Sequence, residues 1–369
     1  MKVLFLLRHN FYSSPGGAQI QIEKTAFYLR QIGVEIDFSL NFPKNINKYD
    51  IIHLTDLTWI YDNPSYLRKI ERSNFKGSIV LSTIYWPFDD YFESGAPFLH
   101  KLLYSLFGVD GFERIKSMGK LFNQRKMIYL NGLLTNYTYQ QKKIIEKIDL
   151  LLPNSYMEMN ALNTRLSLNQ DNYRVIYNAI DIELFNKVID NSKVKKDNNL
   201  ICFVARIDPR KNQLNFLKAI YNEPYRIRFI GAPGPNSKGY FKELKALADK
   251  RGNVEFISHI PQEEVITHML ESKLHVLTSW IETPGLVSLE AAYCGCNILV
   301  SDKGSVREYF RDFAHYCIPD DLENIRIMTK KGMEAEFNPE FRKLIETEFS
   351  WEKTAKDTYE SYQRLSRNK

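Results

Sequence analysis

Cysteine is scarce. The 369 residues hold four, Cys202, Cys294, Cys296 and Cys317, and no two of them form a CxxC pair. No second Cys/His pair stands by to complete a tetrahedral set around Cys294 and Cys296, so a zinc site is not expected. Free buried thiols in a reducing, cytoplasmic setting are. No run of about 18 apolar residues exists, which excludes a membrane-spanning helix. The opening "MKVLFLLRHN" has an apolar run of only five, broken by Arg8 and His9. It reads as a buried strand rather than an export signal. Neither GxGxxG nor Gly-Lys-Ser/Thr occurs, so there is no dinucleotide fingerprint and no P-loop. There is no DxD pair and no histidine cluster at ligand spacing, so no metal is expected. The aromatics are not interleaved with cations as in RNA-binding motifs, which argues against a nucleic-acid partner. Repeats and low-complexity segments are absent.

What remains is an ordinary soluble composition, 44% apolar and 25% charged, in a chain long enough for two domains at about 150 residues each. The net charge is +6 and it is localised. Residues 96–147 carry nine lysines and arginines against three acids, an excess equal to that of the whole chain. An anionic partner would be attracted through this segment.

Short apolar runs alternate with helical patterns. Strands are expected at 2–7, in "VEIDFSL" after Gly33, and at 49–55, 77–83, 149–155 and 173–181, with a helix over 18–33. The polar stretch 186–199 reads as an interdomain link. The rhythm then restarts. Strands are expected at 200–206, 225–232, 254–260, 274–279 and 297–302. Helices are expected at 212–222, 239–252, 262–272 and 286–295, with a last amphipathic helix over 350–365. A β-α-β rhythm implies parallel sheets covered on both faces. Ligands of such sheets sit beyond the carboxyl ends of the strands.

Chemically useful residues gather at those ends. Strand 200–206 runs into "ARIDPRKNQ". Arg206 and Lys211 there could clamp a diphosphate, or stand as solvated cations paired with Asp208. Strand 225–232 runs into "GAPGPNSKG", where Gly231 opens a loop that a ligand could approach closely, or that simply connects. Strand 274–279 runs into "TSWIETPGLVSLEAAYCGC". Amides of Gly285, Leu286 and Val287 would head a helix and form an anion site. Glu282 and Glu290 flank it. They either steady the helix start or accept hydrogen bonds from ligand hydroxyls. In the first half, Gly16 and Gly17 of "SSPGGAQ" stand between a strand and a helix, a weak signal alone.

Taken together, the chain resembles glycosyltransferase family 4, retaining enzymes of the GT-B fold: two Rossmann-like doubly wound domains facing across a cleft, with a C-terminal helix crossing back to the first. The similarity runs in order through "SSPGGAQIQIEKTAFYLRQIGVEI", "LLPNSYMEMNAL", "VIYNAIDIELF", "FVARIDPRKNQLNFLKAI", "ETPGLVSLEAAYCGCNILVSD" and "FSWEKTAKDTYESYQRL". It implies an acceptor-side domain over 1–190 with 350–369, and a donor-binding domain over 191–349. It implies that Arg206 and Lys211 hold a nucleotide-sugar diphosphate, that Glu290 binds ribose hydroxyls and that Glu282 meets the transferred sugar. The backbone at Gly285, Leu286 and Val287 would cradle phosphate and sugar. His259 and Ile260 would meet the base, and Gly16 and Gly17 the diphosphate. No cofactor or metal is implied. The chain departs from the family at Thr283-Pro284, where Gly-Phe is usual. It also has Tyr85-Trp86 where many members have a histidine. Tyr85, Trp86 and Asp89 are candidate acceptor contacts, and His53 reads as a satisfied strand-end histidine.

The resemblance implies a carbohydrate or lipid-linked acceptor and, by analogy, bacterial surface polysaccharide or glycolipid assembly. The apolar and basic stretch 96–126 suits either peripheral contact with an anionic membrane or packing into the first domain. The other open readings are a non-catalytic nucleotide-sugar-binding subunit and a GT-B-type epimerase or phosphorylase.

Overall fold

The apolar runs become two parallel sheets, each in its own unit, in a computed structural model that describes residues 1–13, 16–124 and 126–367. Ser14 and Pro15 of the Gly-Gly loop and Arg125 of the basic segment lie outside the described residues. The first unit comprises Met1–Asp89, Leu99–Asn178 and Trp351–Lys369. The second comprises Asp90–Phe98 and Ala179–Ser350.

In the first unit, β1 (Lys2–Leu6), β2 (Glu35–Ser39), β3 (Ile51–Thr55), β4 (Ser78–Ser82) and β5 (Leu150–Leu152) pair in the order β2-β1-β3-β4-β5. Every described pairing is parallel. Strands in the middle of such a sheet are covered on both faces, which is why "VLFL" and "IIHL" run apolar without alternation. Leu4, Leu6, Ile52, Leu54 and Leu81 join one core with Tyr66, Met159 and Leu162. The helix Gly17–Gln31 follows β1 and packs with the final helix, Trp351–Arg367. His53 on β3 is buried between Tyr362 Oη (2.6 Å) and Ser82 Oγ (2.8 Å). Burial pushes its pKa down to about 3, so it is a neutral core histidine tying the final helix to the sheet.

Glu158 organises the strand ends of this unit. Ser155 caps the helix Tyr156–Leu166 by accepting from the Glu158 amide at 2.9 Å. The Glu158 carboxylate turns back, as in a capping box, and accepts from the amides of Asn154 and Tyr85, each at 2.8 Å, and from the Thr83 hydroxyl. One buried carboxylate thereby fixes the loops after β4 and β5.

In the second unit, β6 (Asp197–Val204), β7 (Arg226–Ile230), β8 (Val254–Ile257), β9 (Ser272–Leu277), β10 (Asn297–Ser301) and β11 (Ala314–Cys317) run in the order β11-β10-β9-β6-β7-β8. Every described pairing is again parallel. The order reverses direction at β6/β9, where loops leave to opposite sides and ligands of doubly wound sheets settle. All four cysteines are free and buried.

Two expected elements differ. Residues 173–181 form no strand; only single bridges occur, Leu151 with Tyr173 and Ile180 with Ser350. The stretch 186–199 is not a plain link, because the helix Ile182–Asn191 occupies its first part and β6 begins at Asp197. Asp181 caps that helix through the Leu184 amide, and Phe185 anchors it in the core. The polar composition of 186–199 was that of an exposed helix face and a strand entry.

Candidate functional site

The loop after β6 is shaped by Asp208. Its carboxylate accepts from the amides of Arg210 (3.0 Å) and Lys211 (3.2 Å), winding Pro209–Lys211 into one 3-10 turn. Asn212 closes the turn in the left-handed region at φ 65° and donates to the Pro319 carbonyl at 2.7 Å. So Asp208 serves the backbone of the turn. Lys211 instead reaches Glu282 from the loop after β9, Nζ to Oε2 at 2.6 Å. The two side chains are only 15% and 16% exposed. A charge-assisted bond this short and sheltered is a strong one. An ammonium has three donors, so Lys211 can keep Glu282 and still meet an incoming anion.

The Glu282 loop is gripped from behind by a residue that sequence reasoning passed over. Gly304, after β10, has φ 85°, and a Cβ there would overlap the Glu282 carbonyl oxygen. Only glycine permits this approach. The next residue fastens it: the Ser305 amide donates to the Glu282 carbonyl at 3.1 Å, and the Ser305 hydroxyl to that of Thr283. The signal was available, since "SDKGS" places a glycine just after a strand, as "TPGL" does.

Gly285 heads the helix Leu286–Tyr293 at φ 68°. The amides of Ser288 and Leu289 already turn inward to the Gly285 carbonyl, at 2.8 and 3.3 Å. Those of Gly285, Leu286 and Val287 come before the first intrahelical bond, as an anion site requires. Glu290, one turn on, is partly buried, and burial together with nearby Asp181 pushes its pKa up to about 7. Two buried hydroxyls in the same connection, Ser279 and Ser288, have no hydrogen-bond partner among the described residues. Polar orphans of this kind call for a water or a ligand.

Arg206 is exposed after β6, and its stem lies near Gly234, where a Cβ would stand 3.3 Å from its Cδ. Gly231 has φ 143°, and a Cβ there would overlap the Ala205 carbonyl, so the Gly/Pro loop is packed directly on the Arg206 loop. His259 is an exposed non-glycine residue at φ 58°, and with Ile260 it follows edge strand β8, two strands from β6. The second unit thus brings Lys211, Glu282, Gly285, Leu286, Val287 and Glu290 into one connected group, with Arg206 and Gly231 in the adjoining loops.

Another rim was not legible. The segment Asp90–Phe98 counts with this unit. Asp90 pairs with Lys303 at 2.8 Å. Gly95 lies flat on the Trp280 indole, a Cβ there standing 2.5 Å from ring atoms. The Trp280 amide in turn donates to the Arg210 carbonyl at 2.8 Å.

In the first unit, Gly16 and Gly17 stand exposed at the start of the helix Gly17–Gln31, where a Cβ on either would meet nothing within 4 Å. Tyr85 corrects the sequence reading. It is 3% exposed and packs in the core with Leu81 and Met159, so its ring is not a surface contact. Trp86 is half-buried, and Asp89 is held by Arg165 at 3.0 Å and by the Tyr104 hydroxyl. Among the described residues, no group of three or more His, Cys, Asp or Glu is placed to hold a metal ion. No helix among them is long and apolar enough to cross a membrane.

Solved structures share this architecture over essentially the whole chain. Sucrose-phosphate synthase from Thermosynechococcus elongatus superposes with a TM-score of 0.71 at 15% identity, covering 100% of both chains. The Anabaena HepE protein in complex with UDP gives 0.68 at 16%, covering 99% of this chain and 100% of that one. The fold is that of the GT-B glycosyltransferases, two Rossmann-like units. Residues 185–356, a little under half of the chain, match the family described as glycosyl transferases group 1. Sequence relatives match over about half of the chain. A D-inositol 3-phosphate glycosyltransferase of Mycobacterium sp. (strain KMS) is 25% identical over 182 residues, 47% of this chain and 41% of that protein. An uncharacterized 41.2 kDa protein in the cps region of Klebsiella pneumoniae is 24% identical over 185 residues, 48% of this chain and 49% of that protein. The matches thus span between two fifths and one half of these relatives' lengths.

Proposed function

We propose that this protein is a retaining glycosyltransferase of family 4 that moves a sugar from a nucleoside-diphosphate sugar to an acceptor hydroxyl. The observation that carries the reading is the Lys211–Glu282 pair, set at strand ends beside the helix start at Gly285. Lys211 and Arg206 hold the diphosphate and neutralise the charge that develops as it leaves. The amides of Gly285, Leu286 and Val287 point at phosphate and sugar. Glu282 accepts from a sugar hydroxyl, and Glu290 from the ribose. Gly231 leaves room for the diphosphate, and His259 and Ile260 present backbone to the base. The acceptor oxygen attacks the anomeric carbon on the face the diphosphate leaves, and its proton passes to the departing phosphate oxygen. Configuration is retained, and the step uses no metal or resident cofactor.

A UDP-sugar is the first donor to test, because an Anabaena HepE structure with a TM-score of 0.66 to this chain is a complex with UDP-glucose. A thermal-shift panel of nucleoside diphosphates and nucleotide-sugars identifies base and sugar together. Proton NMR of the product's anomeric signal then tests retention. No stabilisation by any member of the panel would contradict the reading.

The acceptor we propose is a carbohydrate or a lipid-linked molecule in surface polysaccharide or glycolipid assembly, met at the cytoplasmic membrane face. The segment Phe98–Gln124, two helical stretches that meet at a break at Gly108 (φ 62°, ψ −174°), supports this. Leu99, Leu102, Leu106, Phe107, Met118 and Phe122 are all exposed on it, Leu106 at 65% and Phe122 at 73%. Lys101 and Arg114 share the segment. Exposed apolar residues among cations suit an anionic lipid surface.

A further inference from the structure

A second cluster of charge stands at the carboxyl end of the first unit's sheet, apart from every residue assigned above. Arg8 and His9 follow β1. Asp56, Trp59, Tyr61 and Asp62 follow β3. Lys120 reaches in from the segment Phe98–Gln124. The backbone is strained here: Asp56 after β3 has φ 64°, and Ile84 after β4 has φ 43°. A β-branched residue at positive φ is a costly conformation that collects at functional sites.

Three of the four basic side chains lie against a carboxylate, and the fourth does not. Arg8 donates to Asp56 at 2.9 Å. His9 Nδ1 lies 3.0 Å from Asp62, which also accepts from the Trp59 indole at 2.6 Å. A carboxylate only accepts, so Nδ1 carries the proton and Nε2 faces the Tyr129 hydroxyl at 3.4 Å. Lys116 pairs with Glu113 at 2.5 Å. Lys120 has no carboxylate within ion-pair distance among the described residues. Its ammonium has the Tyr61 hydroxyl at 3.4 Å and the faces of Trp59 and Tyr61, each 4.6 Å from Nζ to ring centroid. Arg8 lies over the same indole at 5.4 Å. Burial first, then Lys116 and Arg8 against the opposing pull of Glu113 and Asp56, bring the Lys120 pKa down to about 8. Cation–π contacts offset part of the cost of withdrawing an ammonium from water. They do not replace a counter-charge.

We propose that Lys120 and Arg8, with Trp59 as the plate between them, bind a phosphate or diphosphate group carried by the acceptor. This rests on the glycosyl-transfer reading and narrows it: the acceptor is an anion. Arg8 can keep Asp56 and present its second guanidinium edge, since the fork has five donors. Lys120 supplies the one cation of the cluster that no carboxylate holds in an ion pair, and the incoming phosphate is its partner. The group could belong to a lipid headgroup or to a free sugar phosphate, and the chemistry at Lys120 is the same.

The test is residue-resolved acylation of lysines, quantified by mass spectrometry, on the full chain. Inorganic pyrophosphate and vesicles of phosphatidic acid in phosphatidylcholine are separate arms. A probe at ten times its dissociation constant should slow Lys120 acylation by about tenfold. Protection by pyrophosphate alone identifies a free phosphate, and protection by vesicles alone a lipid one. Protection should survive Lys211→Met and be lost in Arg8→Gln. Because Arg8→Gln strips Asp56 of its partner, a second measurement uses Trp59 fluorescence. Whichever probe protects Lys120 should change it in wild type, and not in Lys120→Met. Thermal stabilisation by nucleoside diphosphates is scored on the same samples. If that stabilisation persists while neither probe protects Lys120, the anion site is refuted and the donor reading stands. Protection that vanishes in Lys211→Met and persists in Arg8→Gln also overturns it, since the anion then acts through the second unit. Loss of nucleotide stabilisation instead refutes the donor reading.

Discussion

The Lys211 ammonium and the Glu282 carboxylate meet at 2.6 Å, each brought there by a loop that has little other freedom. The Asp208-capped turn delivers Lys211, and Gly304 with Ser305 fixes the backbone of Glu282. Gly304→Ala tests this coupling without touching either side chain. A Cβ in the space of the Glu282 carbonyl must displace the loop. The variant is expected to lose donor affinity while Glu290, on its helix, keeps its place. Calorimetric titration with the donor checks it, and an unchanged dissociation constant would uncouple Gly304 from the site.

Glu290 gives the site a pH dependence. Its folded-state pKa of about 7 is above the ordinary 4.5, raised by burial and then by Asp181. Its stabilising contribution is therefore present below pH 4.5 and lost as pH rises through 7. Glu290→Gln should spare the fold that loss, so wild type falls behind the variant by about 1–3 kcal/mol between pH 5 and 8. Urea unfolding at both pH values measures it. Donor binding should move oppositely. The ionised carboxylate is the stronger acceptor of hydroxyl hydrogen bonds, so affinity should rise through pH 7 in wild type and stay flat in Glu290→Gln.

His275 on β9 is fully buried, and neither ring nitrogen has a partner among the described residues. Burial pushes its pKa down to about 3 from 6.5. The unfolded chain binds the proton more readily, so stability is complete above pH 6.5 and declines as pH falls toward 3. His275→Leu removes two orphaned nitrogens and should stabilise the protein by about 1–3 kcal/mol at pH 7. It should also flatten the acid limb of a plot of Tm against pH, leaving the share that belongs to His53.

The exposed apolar residues of Phe98–Gln124, on either side of the Gly108 break, give a membrane test. Wild type should float with vesicles rich in phosphatidylglycerol and release as salt is raised, since screening weakens the lysine and arginine contribution. Leu106→Glu with Phe107→Glu should abolish flotation and leave Tm unchanged, both side chains being exposed. Equal flotation of variant and wild type would contradict membrane contact through this segment.

Much of this architecture was legible because buried parallel strands advertise themselves as short apolar runs, and because Gly, Asp and Glu at their ends are few. Lys211, Glu282 and Gly285 were singled out by their places after strands, and where Asp208 was the expected partner of Lys211, the structure pairs it with Glu282. What stayed hidden depended on contacts distant in sequence. The segment Asp90–Phe98 carries no sign that Gly95 would lie against Trp280, 185 positions on. Tyr85 was an acceptor candidate because it stands where many family members have a histidine, yet Glu158 accepts from its amide and its ring lies in the core. His9 was read as a strand breaker and Lys120 as one charge of a basic segment. Only the fold sets them among the same aromatic rings.

The central claim is that Lys211 holds the diphosphate of a nucleotide-sugar. Calorimetric titration of the best-stabilising nucleotide-sugar into wild type and into Lys211→Met tests it directly, with circular dichroism to show that the variant folds. The account expects a single site in wild type and at least a tenfold weaker one in the variant, about 1.4 kcal/mol or more. Equal affinity in the two proteins would contradict it.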